Sequence, residues 1–429
     1  MPSGKRILRR ESFGGLFVDT ASGARTFLRP EEYEAKRQKL LADAEEGRRV
    51  TIFDAVEHGY ELLPDAASSP TSIFFELTKK CNGHCTNCFM DSNADKWARE
   101  EITLAEIEDI IRQFSALGGY YIRLTGGEPS VRPDFLDILD AINDEAIRIG
   151  LNTNGLFGPE MLHGILSRGI KDIRVSLDGP EEVNDRIRTP GSYRAVTRTL
   201  AGLAEYNAGA AEPVDATINT VLMRSNRHCI KGMIELAQRF GCVVSFGLMR
   251  LSGRARREEM LSPEEVVETA HTVHKTRQKL GLAQAAVRIN YDIFSDPRSP
   301  QGYRPFPYDN SRCTIGGGMT LDCFGRIVPC GYLVDFPRWI GEDVRGKDLY
   351  DLWYHSDVLN EARRLTRTGC ADCPYHIVQC NGGCPVMAYV SQGSLSGPDP
   401  YCVRDVAFCV GPDGELQFGE AGVGSCCGP

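Results

Sequence analysis

Short β-branched and aromatic runs alternate with amphipathic stretches from residue 73 to about 289. This alternation is typical of consecutive βα units that build a parallel sheet. We predict six strands: Ile73 to Leu77, Tyr121 to Leu124, Ile147 to Asn152, Ile173 to Leu177, Asp215 to Leu222 and Val243 to Leu248. Six units are fewer than the eight of a closed barrel, so an open partial barrel and a doubly wound sheet both fit this pattern. Either architecture places chemistry at the carboxyl ends of the strands.

Two helices have clear start signals. Thr103 and Glu106 form a predicted capping box, and apolar residues follow at helical spacing as far as Gly118. Ser262 stands before a proline and three positions before Glu265, which predicts the start of a helix that runs through residue 274. Both helices agree with a repeating strand, loop and helix unit.

The composition changes on both sides of this repeat. The first 70 residues predict a hairpin from Phe13 to Phe27 and a charged helix near Glu31 to Glu46. A proline-rich link over 296–307 leads into short turns around cysteines. We therefore predict an N-terminal region over 1–70, an α/β domain over 71–295, a loop-rich, cysteine-rich domain over 305–410 and a flexible cysteine-containing tail over 411–429.

Charge and hydropathy exclude several classes of protein. Lys plus Arg number 49 against 58 Asp plus Glu, and the net charge of −9 argues against a nucleic-acid partner. No uninterrupted apolar run reaches the ~18 residues that would cross a bilayer. The basic start continues into Arg9 and Arg10, where a signal peptide needs apolar residues. We expect a cytoplasmic protein without membrane partners.

Cysteine is the unusual component, with 16 in the chain. In a cytoplasmic protein this number indicates metal or redox chemistry rather than disulfides. Three cysteines, Cys81, Cys85 and Cys88, follow the first predicted strand, and eleven lie between Cys313 and Cys427. Two separate cysteine-bearing regions are therefore expected.

The first cysteine loop favours an iron-sulfur cluster. Three thiolates from one loop hold three irons of a four-iron four-sulfur cube and leave the fourth iron without a protein ligand. A structural zinc needs a fourth ligand, and the nearest candidate, His84, is adjacent to Cys85, which is poor geometry for one tetrahedral ion.

The CxxxCxxC spacing followed by Phe89 resembles the signature of the radical S-adenosylmethionine superfamily. Segments after four later strands resemble the superfamily's cosubstrate-binding positions. These residues are Gly126, Gly127, Glu128 and Pro129 on the methionine amino side, Asn152, Ser176 and Asp178 on the carboxylate or ribose side, and Leu251 within an adenine-side segment, Arg250 to Ala255. The alternative interpretation is that the glycines and Asp178 only form turns.

This resemblance implies a partial (β/α)6 barrel of the TIM type, with the cluster and S-adenosylmethionine in its mouth. One electron would cleave the cosubstrate to a 5′-deoxyadenosyl radical that abstracts a substrate hydrogen. An electron donor such as ferredoxin or flavodoxin is implied as a partner. The sequence assigns no general base.

The second cysteine region resembles the SPASM domain, a C-terminal extension that holds two auxiliary four-iron four-sulfur clusters. By that resemblance, one cluster takes Cys313, Cys330 and Cys384, with Cys323 as a candidate fourth ligand, and the other takes Cys370, Cys373, Cys380 and Cys402. Three clusters in total are implied. The alternative is a pair of zinc knuckles that hold a loop-rich domain together.

SPASM-bearing enzymes commonly act on peptides, so the leading hypothesis is modification of a ribosomally made peptide. The N-terminal hairpin and helix are loosely similar to a domain that binds a peptide as an added strand. Radical oxidation or rearrangement of a small metabolite, such as a sugar, amino acid or tetrapyrrole side chain, is the second hypothesis. A zinc-bound scaffold without catalysis is the third.

Overall fold

The computed structural model describes residues 4–64, 66–291, 318–365, 368, 370, 372–373, 380 and 382–419. Within these ranges no helix is both long enough and apolar enough to pass through a membrane. The candidate ligand Cys313, the predicted boundary at 295–305 and residues 420–429 of the predicted tail lie outside the described residues.

The N-terminal region is a four-stranded sheet covered by one helix. Its elements are β1 (Arg6–Glu11), β2 (Gly14–Asp19), β3 (Arg25–Leu28), α1 (Pro30–Glu45) and β4 (Val50–Phe53), and the order in the sheet is β3-β2-β1-β4. The predicted hairpin and charged helix are present as β2, β3 and α1. Sequence analysis does not predict β1, because its charged residues, although largely buried, do not give the apolar pattern of a strand. Arg9 and Glu11 are fully buried and form an ion pair of 3.0 Å, and Arg9 also donates to the Ser69 carbonyl oxygen before the barrel.

A nine-stranded sheet organises the described part of the barrel region. Its strands in spatial order are β11 (Val287–Ile289), β10 (Val243–Leu248), β9 (Asp215–Leu222), β8 (Asp172–Ser176), β7 (Arg148–Thr153), β6 (Tyr121–Thr125), β5 (Ser72–Glu76), β12 (Gly318–Leu321) and β13 (Ile327–Val328). All neighbours are parallel except β12 and β13, which form an antiparallel hairpin. The six predicted strands are β5 to β10, each displaced by at most one residue. The partial barrel is confirmed.

Helices cover the outer face of this sheet. They are α2 (Leu104–Ala116), α3 (Phe135–Asp144), α4 (Pro159–Leu166), α5 (Glu181–Ile187), α6 (Ser192–Gly209), α7 (Ile230–Arg239) and α8 (Pro263–Lys279). Both predicted capping boxes form, because Thr103 N donates to Glu106 Oε2 and Ser262 N donates to Glu265 Oε2, each at 2.8 Å. Apolar residues on alternate strand positions, such as Ile122 and Leu124, are fully buried against the helices.

The C-terminal region shares its core with the barrel. It contains α9 (Leu349–His355), α10 (Asp357–Arg363), α11 (Pro385–Gln392), β14 (Phe408–Val410) and β15 (Leu416–Phe418). β12 pairs with β5, so the first described strand of this region extends the barrel sheet. The fully buried Trp353 donates its indole N–H to the Ala67 carbonyl oxygen at 3.1 Å. One hydrophobic cluster consequently extends from Ile7 to Val403.

A buried charged group lies where β5 meets the β12–β13 hairpin. The Glu76 side chain is 1% exposed and forms a 2.6 Å ion pair with Lys79, whose Nζ lies 4.1 Å from the centroid of a Trp97 ring. Burial raises the pKa of Glu76 to about 7. The thiol of Cys323 is fully buried, and Glu76, Lys79 and Glu101 are its strongest charged neighbours.

This raised pKa predicts how the stability of the protein changes with pH. The folded state holds the Glu76 proton more tightly than the unfolded chain, so this contribution is fully present below the unfolded pKa of 4.5 and is lost as pH rises through about 7. The contribution is at most about 3 kcal/mol. Glu76→Gln removes it, and we expect the Tm of the variant relative to wild type to rise between pH 5 and pH 8. Thermal unfolding across that range measures the difference.

The matched control is Glu205→Gln on the exposed surface of α6. Its Tm difference from wild type should not change with pH. Equal pH dependence in the two variants would contradict the raised pKa.

Candidate active site

The three cysteines of the first loop lie at the mouth of the barrel, directly after β5. Cys81, Cys85 and Cys88 are all half-buried, and each of the other two thiols affects Cys81 electrostatically. Burial raises the pKa of Cys81 to about 11 and also raises that of Cys85, although the guanidinium of Arg188 acts in the opposite direction on Cys85. The loop therefore gathers three thiols beside a positive charge.

The loop after β6 packs against the backbone that leads into the cysteines. Gly127 N donates to the Thr78 carbonyl oxygen at 2.7 Å, and Glu128 N donates to the Lys80 carbonyl oxygen at 2.9 Å. A Cβ on Gly127 would lie only 2.1 Å from the Lys80 oxygen. Gly126 has a φ of +151°, and a Cβ there would lie 2.7 Å from the Thr78 carbonyl oxygen. These contacts with the cysteine loop explain why both positions are glycine.

Glu128 joins the loops after β6 and β7. Its fully buried carboxylate accepts hydrogen bonds from the side chains of Ser130 and Thr153, both at 2.8 Å, and from Asn154 N at 2.7 Å. Burial raises the pKa of Glu128. The adjacent Pro129 is buried and starts a short 3₁₀ turn. Glu128 thus holds backbone in place rather than facing the barrel mouth.

The structure distinguishes the predicted Asn152 from its neighbour Asn154. Asn152 Oδ1 accepts a 3.0 Å hydrogen bond from Arg123, within the barrel. Asn154 Nδ2 lies 3.7 Å from the Cys81 sulfur and donates to Asn82 Oδ1 at 2.7 Å. Asn154, which sequence analysis does not select, is therefore the asparagine that reaches the cysteine loop.

Ser176 and Asp178 have different surroundings. Ser176 is half-buried at the end of β8. Asp178 is fully buried, accepts from Val221 N at 2.8 Å and forms a 2.8 Å ion pair with Arg188. Arg188 Nη1 in turn lies 3.9 Å from the Cys85 sulfur. The Asp178 carboxylate therefore positions a cation beside the loop.

The segment after β10 holds the other side of the cysteine loop. Arg254 donates to the carbonyl oxygens of Cys85 at 2.9 Å and Ser92 at 2.8 Å, and pairs with Asp91 at 3.1 Å. A Cβ on Gly253 would lie 2.3 Å from the Cys88 carbonyl oxygen.

Leu251, from the same segment, is 9% exposed and connects the barrel to the C-terminal region. Its N–H donates to the Met387 sulfur at 3.2 Å. The adenine-side segment thus touches both the cysteine loop and α11.

Two of the predicted auxiliary ligands lie near one another. Cys330 and Cys384 both act electrostatically on Tyr332, whose ring centroid is 4.7 Å from that of Phe89. The strongest charged neighbours of Cys323 include no cysteine, so they do not group Cys323 with Cys330 and Cys384. The aromatic pair of Phe89 and Tyr332 connects the two cysteine regions.

The remaining predicted ligands surround a turn-rich segment. Cys373 N donates to the Cys370 carbonyl oxygen at 3.1 Å. Asp399 accepts from Cys384 N at 2.6 Å with its side chain and from Cys402 N at 2.9 Å with its carbonyl. Cys380 is half-buried. Asp399 therefore links one cysteine of each predicted set.

Sequence analysis misses Arg188, Asn154 and Asp399 as parts of this site, and it includes Arg254 only within the adenine-side segment, without its contact with the cysteine loop. Arg254 is 169 residues from its partner Cys85, and Arg188 is 103 residues away from the same cysteine. Local periodicity and spacing carry no signal for contacts at such separations.

Comparison with known proteins supports this arrangement. Residues 75–237 match the Radical SAM superfamily. Mycofactocin maturase MftC of Mycolicibacterium smegmatis is 28% identical over 83% of this chain and 88% of its own length. AdoMet-dependent heme synthase of Methanosarcina barkeri is 29% identical over 78% of this chain and 97% of its own length. The crystal structure of Streptococcus suis SuiB bound to precursor peptide SuiA shares the fold, with a TM-score of 0.69, 16% identity and coverage of 92% of this chain and 97% of that one.

PqqA peptide cyclase of Rhizobium meliloti is 30% identical over 78% of this chain and 87% of its own length. An identity of that level over most of both chains shows the family. The chain therefore belongs to the radical SAM superfamily and has a SPASM-like C-terminal domain.

Proposed function

We propose that this enzyme uses a 5′-deoxyadenosyl radical to modify a ribosomally made peptide. Superfamily membership implies S-adenosylmethionine and one four-iron four-sulfur cluster. The observation that carries the site assignment is the loop of Cys81, Cys85 and Cys88, fixed at the barrel mouth by Arg254 on one side and by Gly127 and its neighbours on the other.

The donor set fits a four-iron cluster better than a single zinc ion. The loop supplies three cysteines, whereas a structural zinc ion needs four protein ligands. His84, the fourth ligand that the zinc alternative requires, is exposed, and its backbone N–H donates to Thr189 Oγ1. Three cysteines leave one iron for the cosubstrate.

When bound, the cluster and cosubstrate supply the radical that removes a hydrogen atom from the substrate. The chain itself positions the loop and its charge. Arg188, fixed by Asp178, offsets the negative charge of the thiolates. Asn154 and the backbone of Gly126 would hold the methionine group, while Ser176 and Leu251 would contact the ribose and adenine.

We assign the two auxiliary clusters as the resemblance implies. Cys330 and Cys384, which share Tyr332 as a neighbour, belong with Cys313 in one set. Cys370, Cys373, Cys380 and Cys402 form the other set. The carboxylates around Cys323 favour a packing role for its thiol.

Two observations favour a peptide as the substrate. PqqA peptide cyclase is named for a peptide substrate, MftC is named as a maturase, and SuiB was crystallised with its precursor peptide. In this chain β3 is an edge strand of the N-terminal sheet, with Arg25, Thr26 and Phe27 exposed. An exposed edge of this kind accepts a peptide as an additional strand. Because AdoMet-dependent heme synthase is also similar to this chain, a small metabolite is the second candidate substrate.

The first prediction concerns radical initiation. Anaerobically reconstituted protein with dithionite and S-adenosylmethionine should release 5′-deoxyadenosine, whereas Cys81→Ala, Cys85→Ala and Cys88→Ala combined should release none. The triple variant should retain about two thirds of the iron, since each of three clusters carries four irons. Release by the triple variant would contradict the assignment of the loop, and loss of all iron would contradict independent auxiliary clusters.

The second prediction tests the support given to the cysteine loop. Arg254→Gln removes guanidinium contacts with Cys85, Asp91 and Ser92, so we expect 5′-deoxyadenosine release to fall about tenfold as hydrogen bonds to a charged group are lost. Arg256→Gln, at an exposed position two residues away, is the matched control and should leave the rate unchanged. Equal rates in both variants would show that the loop does not depend on Arg254.

The third prediction concerns the substrate. Peptides encoded by short reading frames beside the gene should change mass when incubated with the reduced enzyme and S-adenosylmethionine, as measured by mass spectrometry. The triple cysteine variant is the control and should produce no change. Release of 5′-deoxyadenosine without a change in any such peptide would favour the small-metabolite alternative.

A further inference from the structure

The inner face of the barrel sheet carries positive charge that the cluster site does not use. On β8, Ile173 and Val175 are buried in the helix-covered core, so Arg174 between them points to the inner face. On β6, Arg123 lies between the buried Ile122 and Leu124 and has the same orientation.

Arg288 on β11 occupies the same inner face. It follows the buried Val287 and pairs in register with Ser245 of β10. The inner face of three strands therefore carries guanidinium groups.

One carboxylate lies among these three guanidinium groups. Asp172 Oδ2 accepts from Arg123 Nη2, which also donates to the Tyr121 hydroxyl. The other oxygen, Asp172 Oδ1, lies 3.7 Å from Arg174 Nε and is buried without a hydrogen-bond partner. The charge of Arg123 is thus balanced by Asp172, and its guanidinium also donates a hydrogen bond to Asn152. Arg174, in contrast, has only the 3.7 Å ion pair with Asp172.

Arg174 and Arg288 are the two least tightly paired of these three arginines. Arg288 is exposed and has no ion pair among the residues that the structure describes, while the Arg174 side chain is 41% exposed. Burial, and then the neighbouring Arg123, lower the pKa of Arg174, and Arg288 acts in the same direction. Three guanidinium groups share the single carboxylate of Asp172, so the group keeps a net positive charge and is suited to receive a further anion.

We propose that Arg174 and Arg288 bind a carboxylate of the substrate inside the barrel. This proposal rests on the proposed function, because it places a group of that function's substrate on the inner face of the barrel sheet. The planar guanidinium forks match the two oxygens of a carboxylate, which makes arginine effective for this recognition. Arg288 is level with Ser245, and Ser245 is level with Asn219 and Ser176, so the carboxylate would lie at or below the end of β8. Anchoring there would leave the rest of the substrate directed toward the cysteine loop.

Three matched peptides test this proposal and identify the source of the carboxylate. They are N-acetyl-trialanine with a free C-terminal carboxylate, the same peptide as its C-terminal amide, and an amide in which the central alanine is replaced by glutamate. Binding to the reconstituted full-length enzyme with S-adenosylmethionine and no reductant is measured by calorimetry. We expect at least one of the two acidic peptides to bind about tenfold or more tightly than the neutral amide.

Variants then assign that preference to the two arginines. Arg174→Met and Arg288→Met should each reduce it about tenfold, and Arg174→Lys should give an intermediate loss because it keeps the charge without the fork. Arg198→Met, on the exposed face of α6, is the matched control and should bind like wild type. Circular dichroism and cluster absorbance establish that each variant is folded and loaded.

The possible outcomes separate this proposal from the proposed function. Equal binding of all three peptides, no binding of either acid, or an undiminished preference in Arg174→Met and Arg288→Met would overturn the carboxylate site. Preference for the free C-terminus identifies a terminal carboxylate, and preference for the glutamate peptide identifies a side chain. Failure of the proposed function would appear separately as absence of 5′-deoxyadenosine release from the same preparation.

Discussion

The close approach between Gly127 and the Lys80 carbonyl oxygen determines the geometry of the barrel mouth. A Cβ at this glycine would lie 2.1 Å from that oxygen, which is closer than non-bonded atoms approach one another. Because there is no Cβ, the Glu128 amide reaches the same oxygen and its carboxylate reaches the loop after β7. A larger residue would push the segment before Cys81 outward. The positions of the three thiols therefore depend on this backbone contact.

The barrel was predictable from sequence because its signals are local. Each strand from β5 to β10 is a short β-branched or aromatic run, and the Thr103 and Ser262 capping boxes mark where helices begin. The spacing of Cys81, Cys85 and Cys88 is equally local, since one loop supplies all three thiols. Features of this kind need no knowledge of distant residues.

The parts that were not predicted depend on contacts between distant residues. β1 is a charged strand that is buried only because Arg9 forms an ion pair with Glu11 and donates to the segment before β5. β12 joins the barrel sheet through β5, and the paired residues Gly318 and Ser72 are 246 residues apart in the chain. Asp178 looks like a turn residue, yet its carboxylate holds Arg188 beside Cys85. Spacing alone does not reveal such pairings.

The inner face of the barrel was nevertheless encoded in the strands. A parallel strand buried on both faces is a continuous apolar run, whereas β8 alternates between buried Ile173 and Val175 and half-exposed Asp172, Arg174 and Ser176. In a closed eight-stranded barrel those inner positions are filled by bulky branched side chains. Polar and charged residues there indicate an interior that holds a ligand rather than a packed core. The alternation that identifies these strands therefore also supports the proposal that substrate enters the barrel interior.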